Sequence, residues 1–320
     1  MKPKASLSTP PSSRSPPTRQ NNLIPDEQWQ ESWPDKFVKI QPAGSGISSI
    51  AYYAISRQAL AGLQIHQQEE HLPSIKRKIC VVKIGHNALR DGIANEVKHL
   101  RLIKPAPAHP FFAELLDANT DLEHPWLATT AIVGQTLHDF RANLGPRVDD
   151  AQCFFFHLFI QLSAALCFLH EMQPFPLLHG DLHDENVMCD FQRRRDYEGL
   201  PNLVLIDFGS ACVQDWGMEY EAGEETRPYH IGREACRFFQ LLKEWGRRGA
   251  ALEFVGEIME VCGEEMEVER CSCTGLWQRF GRLAVEQREV YATVEVLGIV
   301  ERALRVEVLE NAALIEAVGR

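Results

Sequence analysis

An aspartate and an asparagine five residues apart, in His179-Gly180-Asp181-Leu182-His183-Asp184-Glu185-Asn186, are the side chains of this sequence best suited by type to do chemistry. A loop carboxylate such as Asp181 can orient or deprotonate an attacking hydroxyl, and the amide oxygen of Asn186 can ligate a hard cation such as Mg2+. Asp207, in Asp207-Phe208-Gly209 at the end of the apolar run LVLI, is a second oxygen ligand of the same kind. Lys83 sits in ICVVKI. An ammonium in an apolar strand needs an anionic partner or must reach water. Glu96, in ANEVKHLRLI, can supply that partner. Gly44-Ser45-Gly46, followed by Ser49 and Ala51, lies between two predicted strands, where glycine lets backbone amides approach phosphate oxygens closely. Taken singly, each has a plainer reading: a surface turn, a snorkelling lysine, an exposed helix glutamate, a polar loop. Their order along the chain singles them out.

The elements around these residues are legible as periodicities. Residues 37–55 read as a strand, a glycine turn and a strand, and 57–77 as a polar hairpin loop. A short strand over 79–84 carries Lys83. A helix over 89–103 carries Glu96 and places Ile93, Val97, Leu100 and Ile103 on one face. A strand over 126–133 stops at Gly134. The clearest helix covers 149–172, with Asp149 and Asp150 where the helix dipole favours negative charge. Leu177-Leu178 leads into the Asp181 loop, Val187-Met188-Cys189 forms a short strand after it, and 203–206 forms a buried strand that delivers Asp207. Beyond Ala211 the pattern is mainly helical. Leu276, Phe280, Leu283, Val290, Val294, Leu297, Leu304 and Val308 are the expected packing residues of the last helices. A strand-rich first half and a helical second half predict the α+β class.

In content and order these motifs resemble the eukaryotic protein kinase family and its relatives among aminoglycoside and choline kinases. The match runs from about 37 to 211 and is strongest in IQLSAALCFLHEMQPFPLLHGDLHDENVM and LVLIDFGSA. The resemblance implies a bilobal fold. A tail over 1–33 would precede a kinase-like domain over 34–320, with a β-rich N-lobe to about 133 and a mainly helical C-lobe, irregular after 211. It implies ATP and Mg2+ as cofactors. Gly44, Ser45, Gly46, Ser49 and Ala51 would form the glycine-rich loop, with Ser49 in place of its third glycine. Lys83 and Glu96 would form the phosphate-positioning pair, Asp181 the catalytic aspartate, and Asn186 and Asp207 the two metal ligands. Thr129 would be the gatekeeper, and the backbone from Thr130 to Ile132 would bind adenine. The implied activity is phosphoryl transfer, first to Ser/Thr hydroxyls of proteins and alternatively to a small hydroxyl compound. A nucleotide-binding pseudokinase is a third reading, against which the complete residue set argues.

Three departures stand out. Gly180 replaces the arginine that would otherwise clamp a phosphorylated loop, and the HGD-L-H sequence is as close to the small-molecule kinases as to the protein kinases. His183 replaces a lysine that contacts the transferred phosphate. After Gly209 the match fades: Thr226-Arg227-Pro228-Tyr229 followed by Ile231-Gly232-Arg233 is one continuation. Glu234, opening the helix REACRFFQLL in place of an aspartate, is the other.

Bulk properties frame these readings. The 320 residues are 45% apolar and 24% charged, with net charge −11. Such a balance does not favour nucleic acid or anionic membranes as partners. Residues 251–320 hold 14 acidic against 7 basic side chains, so the excess is concentrated there. Nine cysteines lie mostly in apolar runs, as buried thiols of an intracellular protein do, which points to the cytoplasm or nucleus. Cys262, Cys271 and Cys273 lack zinc-site spacing. The first residues are Pro/Ser-rich without an apolar signal core and predict a disordered tail. No segment is expected to span a bilayer.

Overall fold

The computed structural model describes residues 33–46, 49–61, 72–85, 91–103, 109–121, 123–172, 174–191, 196–214, 231–262, 272–304 and 311–319. The expected tail, the centre of the 57–77 segment, Thr226 to Tyr229, Cys271 and Val308 lie outside them.

The first half is an antiparallel sheet. β1 (Phe37–Ser45), β2 (Ser49–Ser56), β3 (Ile79–Gly85), β4 (Leu115–Asn119) and β5 (Trp126–Thr130) lie in the order β1-β2-β3-β5-β4. Tyr52, Ala54, Val82 and Ile84 are fully buried. The segment between β2 and β3 is not simply a loop: α1 (Arg57–Ala61) and α2 (Leu72–Lys76) occupy its two ends. α3 (Asp91–Ile103) crosses from β3 to β4 and seats Ile93, Val97, Leu100 and Ile103, all nearly inaccessible, as its period predicts. The expected strand over 126–133 ends at Thr130. The chain then runs without strand pairing to Gly134, which begins β6 (Gly134–Thr136) instead of ending β5.

In the second half, α4 (Leu137–Leu144) is capped by Thr136, whose hydroxyl accepts from the Asp139 amide. A 3₁₀ turn (Gly145–Asp149) leads into α5 (Gln152–His170). β7 (Leu177–Leu178), β8 (Val187–Asp190), β9 (Asn202–Leu205) and β10 (Cys212–Val213) form two small sheets, β10-β7 and β6-β8-β9. The remaining described helices are α6 (Ile231–Trp245), α7 (Gly249–Cys262), α8 (Cys273–Tyr291), α9 (Val294–Leu304) and α10 (Asn311–Gly319).

α5 is apolar all round because it is enclosed all round. Phe154, Phe155, Phe156 and Phe159 are fully buried, and Phe159 meets Phe254 edge-on at 5.0 Å between ring centres. With 19 residues, α5 is long and apolar enough by length and composition to cross a membrane, contrary to the expectation that no segment is. Here it is the core helix. Val290 and Val294, expected to pack, are 67% and 90% exposed. They flank the break between α8 and α9, where the helical phase is reset. A parallel bridge from Phe112 to Leu205, with the Leu205 amide donating to the Phe111 carbonyl, joins the two halves behind the site.

Candidate functional site

Lys83 lies on the face of β3 turned toward the second half, and its ammonium is held by two carboxylates. Nζ is 2.7 Å from Glu96 Oε2 and 2.8 Å from Asp207 Oδ1. Strand pairing fixes the lysine opposite Ala51 on β2 and Leu127 on β5, and helix phase aims Glu96 at it from α3. Burial works against the Lys83 charge, but Glu96 and Asp207 outweigh it and raise its pKa. The deeper carboxylate, Glu96, is pushed up by burial, against the pull of Lys83. Asp207 also loses solvent, yet Lys83 and the Gly209 amide bring its carboxyl below the usual range.

Asp207 is the single non-glycine residue with positive φ among those described, at φ 63° and ψ 74°. Such backbone costs about 1–3 kcal/mol and persists only where its surroundings over-determine it. Its Oδ1 takes both Lys83 and the Gly209 amide, so Oδ2 is the oxygen left to face the cleft.

The Asp181 loop is fastened at three points. The buried His179 ring bonds through Nε2 to the Ile206 carbonyl at 2.9 Å and meets Phe208 edge-on. Asn186 Nδ2 donates to the Asp181 carbonyl at 2.9 Å, with His183 Nε2 also 2.9 Å away, which leaves the Asn186 carbonyl oxygen for a cation. Glu234, completely buried in the first turn of α6, accepts from the Gly180 amide through Oε1 at 2.9 Å and pairs with His170 through Oε2 at 2.7 Å. Glu234 thus opens a helix, as the second continuation expects. The Asp181 carboxylate itself is half exposed, with His183 Nε2 3.5 Å away.

Gly180 has a physical cause. Its φ is +81°, and a Cβ there would stand 2.1 Å from the Ser210 carbonyl oxygen. No arginine, nor any other side chain, fits while this loop lies against the turn that follows Asp207.

The far wall is the segment after β5. Thr129 is buried. The Thr130 amide donates to the Glu114 carbonyl at 2.9 Å, and the Glu114 amide returns a bond to Thr130 Oγ1. The Ile132 carbonyl accepts from the Tyr53 hydroxyl at 3.3 Å, and burial raises that phenol to about 12. The sequence did not single out Tyr53. Its polar group is visible, but its partner lies 79 residues away.

All these groups line one cleft of about 900 Å³: Gly44, Ser45, Gly46, Ser49 and Ala51 above, Lys83 and Glu96 behind, Thr130 and Ile132 at one end, and Asp181, Asn186 and Asp207 below. Every residue singled out from the sequence as a site residue is present there. Among the described residues no group of three or more His, Cys, Asp or Glu side chains could hold a metal alone. The donor set instead suits Mg2+, which commonly takes one or two protein oxygens and completes its shell with water and phosphate. A buried cation, two outward-facing oxygens and an exposed carboxylate equip the cleft for a polyanion with its metal and a proton-bearing acceptor.

Lys83→Met is expected to weaken the binding of a polyphosphate by roughly tenfold or more while the chain stays folded, because it removes the only lysine lining the cleft among the described residues. Titration of a fluorescent ATP analogue, with circular dichroism as the folding control, measures this. Undiminished affinity would detach Lys83 from the phosphate role. No protein-family model matches the chain, and no curated protein matches it.

Proposed function

We propose that this chain is an ATP- and Mg2+-dependent phosphotransferase of bilobal protein-kinase-like fold, acting first on Ser/Thr hydroxyls of proteins. The observation that supports it most is Lys83 bound to both Glu96 and Asp207 at the back of a cleft whose floor presents Asp181 and Asn186. In this reading Gly44, Ser45, Gly46, Ser49 and Ala51 cover the phosphates, and Lys83 exchanges a carboxylate for a phosphate oxygen. Asn186 through its amide oxygen and Asp207 through its carboxylate would hold the metal. When bound, Mg2+ would neutralise charge on the phosphate oxygens and orient them. Asp181 aligns the acceptor hydroxyl and takes its proton as the new oxygen–phosphorus bond forms and the β–γ bridging bond breaks, releasing ADP. The base would lie along the Thr130 to Ile132 segment. Since Tyr53 already occupies the Ile132 carbonyl, the Ile132 amide is the group expected to contact it.

Gly180 supports a second reading, in which the acceptor is a small hydroxyl compound. The loop is built without the arginine that protein kinases use to respond to a loop phosphate.

The test is a thermal shift with ATP, without and with Mg2+, followed by transfer of labelled γ-phosphate. ATP should raise Tm, and Mg2+ should raise it further. At one hundred times Kd the stabilisation is about 2.7 kcal/mol. Transfer to Ser/Thr proteins supports the first reading, and transfer only to small hydroxyl compounds supports the second. ATP binding without transfer to either leaves a pseudokinase. No shift under either condition refutes the nucleotide site.

A further inference from the structure

Asn95 stands one residue before Glu96 in the middle of α3, where asparagine is a poor helix former. Its amide nitrogen leaves the helix surface and grips the chain just beyond Asp207. Nδ2 donates to the Gly209 carbonyl at 2.8 Å and to the Ala211 carbonyl at 3.0 Å. A primary amide has two N–H donors, and both are used here. The first carbonyl belongs to the 3₁₀ turn Phe208–Ser210, which Asp207 caps from its left-handed conformation, and the second to Ala211 just past the end of that turn. Neighbouring residues of α3 thus grip this segment by different means. Glu96 acts by charge, through Lys83 and by accepting from the Phe208 amide, and Asn95 holds two downstream carbonyls.

We propose, resting on the function above, that Asn95 is a positioning residue: its two hydrogen bonds keep Asp207 in the metal-holding arrangement without help from a phosphate. Asp207 needs such support because its backbone is strained. The Gly180 loop, packed on the Ser210 carbonyl, has no arginine for a phosphate to recruit. A latch made of one neutral side chain is always on. It ties α3, and with it Glu96, to the segment that carries the metal ligand, so the two move together.

The specific test is Asn95→Asp, which keeps the shape but replaces both donors with acceptors facing two carbonyls. In the nucleotide-free protein, amide hydrogen exchange over 208–213 should quicken by about tenfold or more, while the amides of α5 stay protected. Mg2+·ATP affinity should fall by about tenfold, and ATP affinity without Mg2+ should change much less. Relative to wild type, the Asn95→Asp protein should regain Mg2+·ATP affinity as pH falls, because a protonated carboxyl recovers one donor. A packing role would show no such recovery. Asn95→Ala, which loses the donors without adding charge, should show the faster exchange and the weaker Mg2+·ATP binding to a smaller degree and without the recovery at low pH, and serves if the first variant does not fold. A folded variant with wild-type exchange over 208–213 overturns the latch. Faster exchange with unchanged Mg2+·ATP affinity overturns its link to Asp207. If the wild-type protein binds no Mg2+·ATP, the proposed function fails and the positioning role with it, while exchange still reports whether Asn95 holds the turn.

Discussion

Asp181→Asn is expected to lower turnover by on the order of 10²-fold or more while leaving Mg2+·ATP affinity in place, the usual scale for loss of a general base. The substitution keeps the size of the side chain and removes its charge and basicity. Asn186 and Asp207, the proposed metal ligands, remain, so Mg2+·ATP should still find them. Asp181 can be changed without disturbing the fold because its carboxylate is half exposed, whereas the loop is anchored by backbone and neighbouring side chains: the Gly180 amide on Glu234, His179 on Ile206 and the Asp181 carbonyl on Asn186. Binding and rate should therefore separate. Single-turnover transfer beside equilibrium binding of a fluorescent ATP analogue measures the split. Unchanged turnover would remove Asp181 from the chemistry, and loss of folding would make the loop structural.

Glu234→Ala should cost about 2–4 kcal/mol of stability, since hydrogen bonds to a charged group contribute roughly 1.5–3 kcal/mol each and truncation leaves buried partners unsatisfied. Those partners are the Gly180 amide and His170, whose other ring nitrogen already lacks a partner among the described residues. Glu234→Gln keeps an acceptor for the Gly180 amide and should lose about half as much. In urea, unfolding midpoints followed by tryptophan fluorescence rank the three proteins. An alanine variant within about 0.5 kcal/mol of wild type, the range of an ordinary surface substitution, would refute this anchoring.

The sequence made legible whatever is local or periodic. The apolar face of α3, the apolar strand β3 with its lysine and the order of the motif residues all appear as read. β4 escaped because LLDAN is short, and its pairing with Trp126–Thr130 shows only in three dimensions. α1 and α2 have five residues each, too few to show a helical period. Within the site, Lys83, Glu96 and Asp207 were recognisable by type and order. Asn95 and Tyr53 were not, because an asparagine in a helix and a tyrosine in a strand look ordinary until their partners 114 and 79 residues away are known. Gly180 was visible as a missing arginine. Its reason, a carbonyl where a Cβ would stand, belongs to three-dimensional packing alone.

Leu314 on α10 is wholly buried with Tyr53, Ile55, Ile75 and Ile79, so an early-made sheet takes part of its core from one of the last helices. On the ribosome, at roughly 5–20 residues per second, strand β2 would wait on the order of 10–50 s for that leucine. Until then an apolar face of the nascent sheet stays uncovered, a natural client for a chaperone. A stop codon upstream of α10 would leave every motif residue translated and this face permanently bare. Such a transcript should yield an aggregating or rapidly degraded product, and its abundance in cells would report on the last helix before any assay of the cleft did.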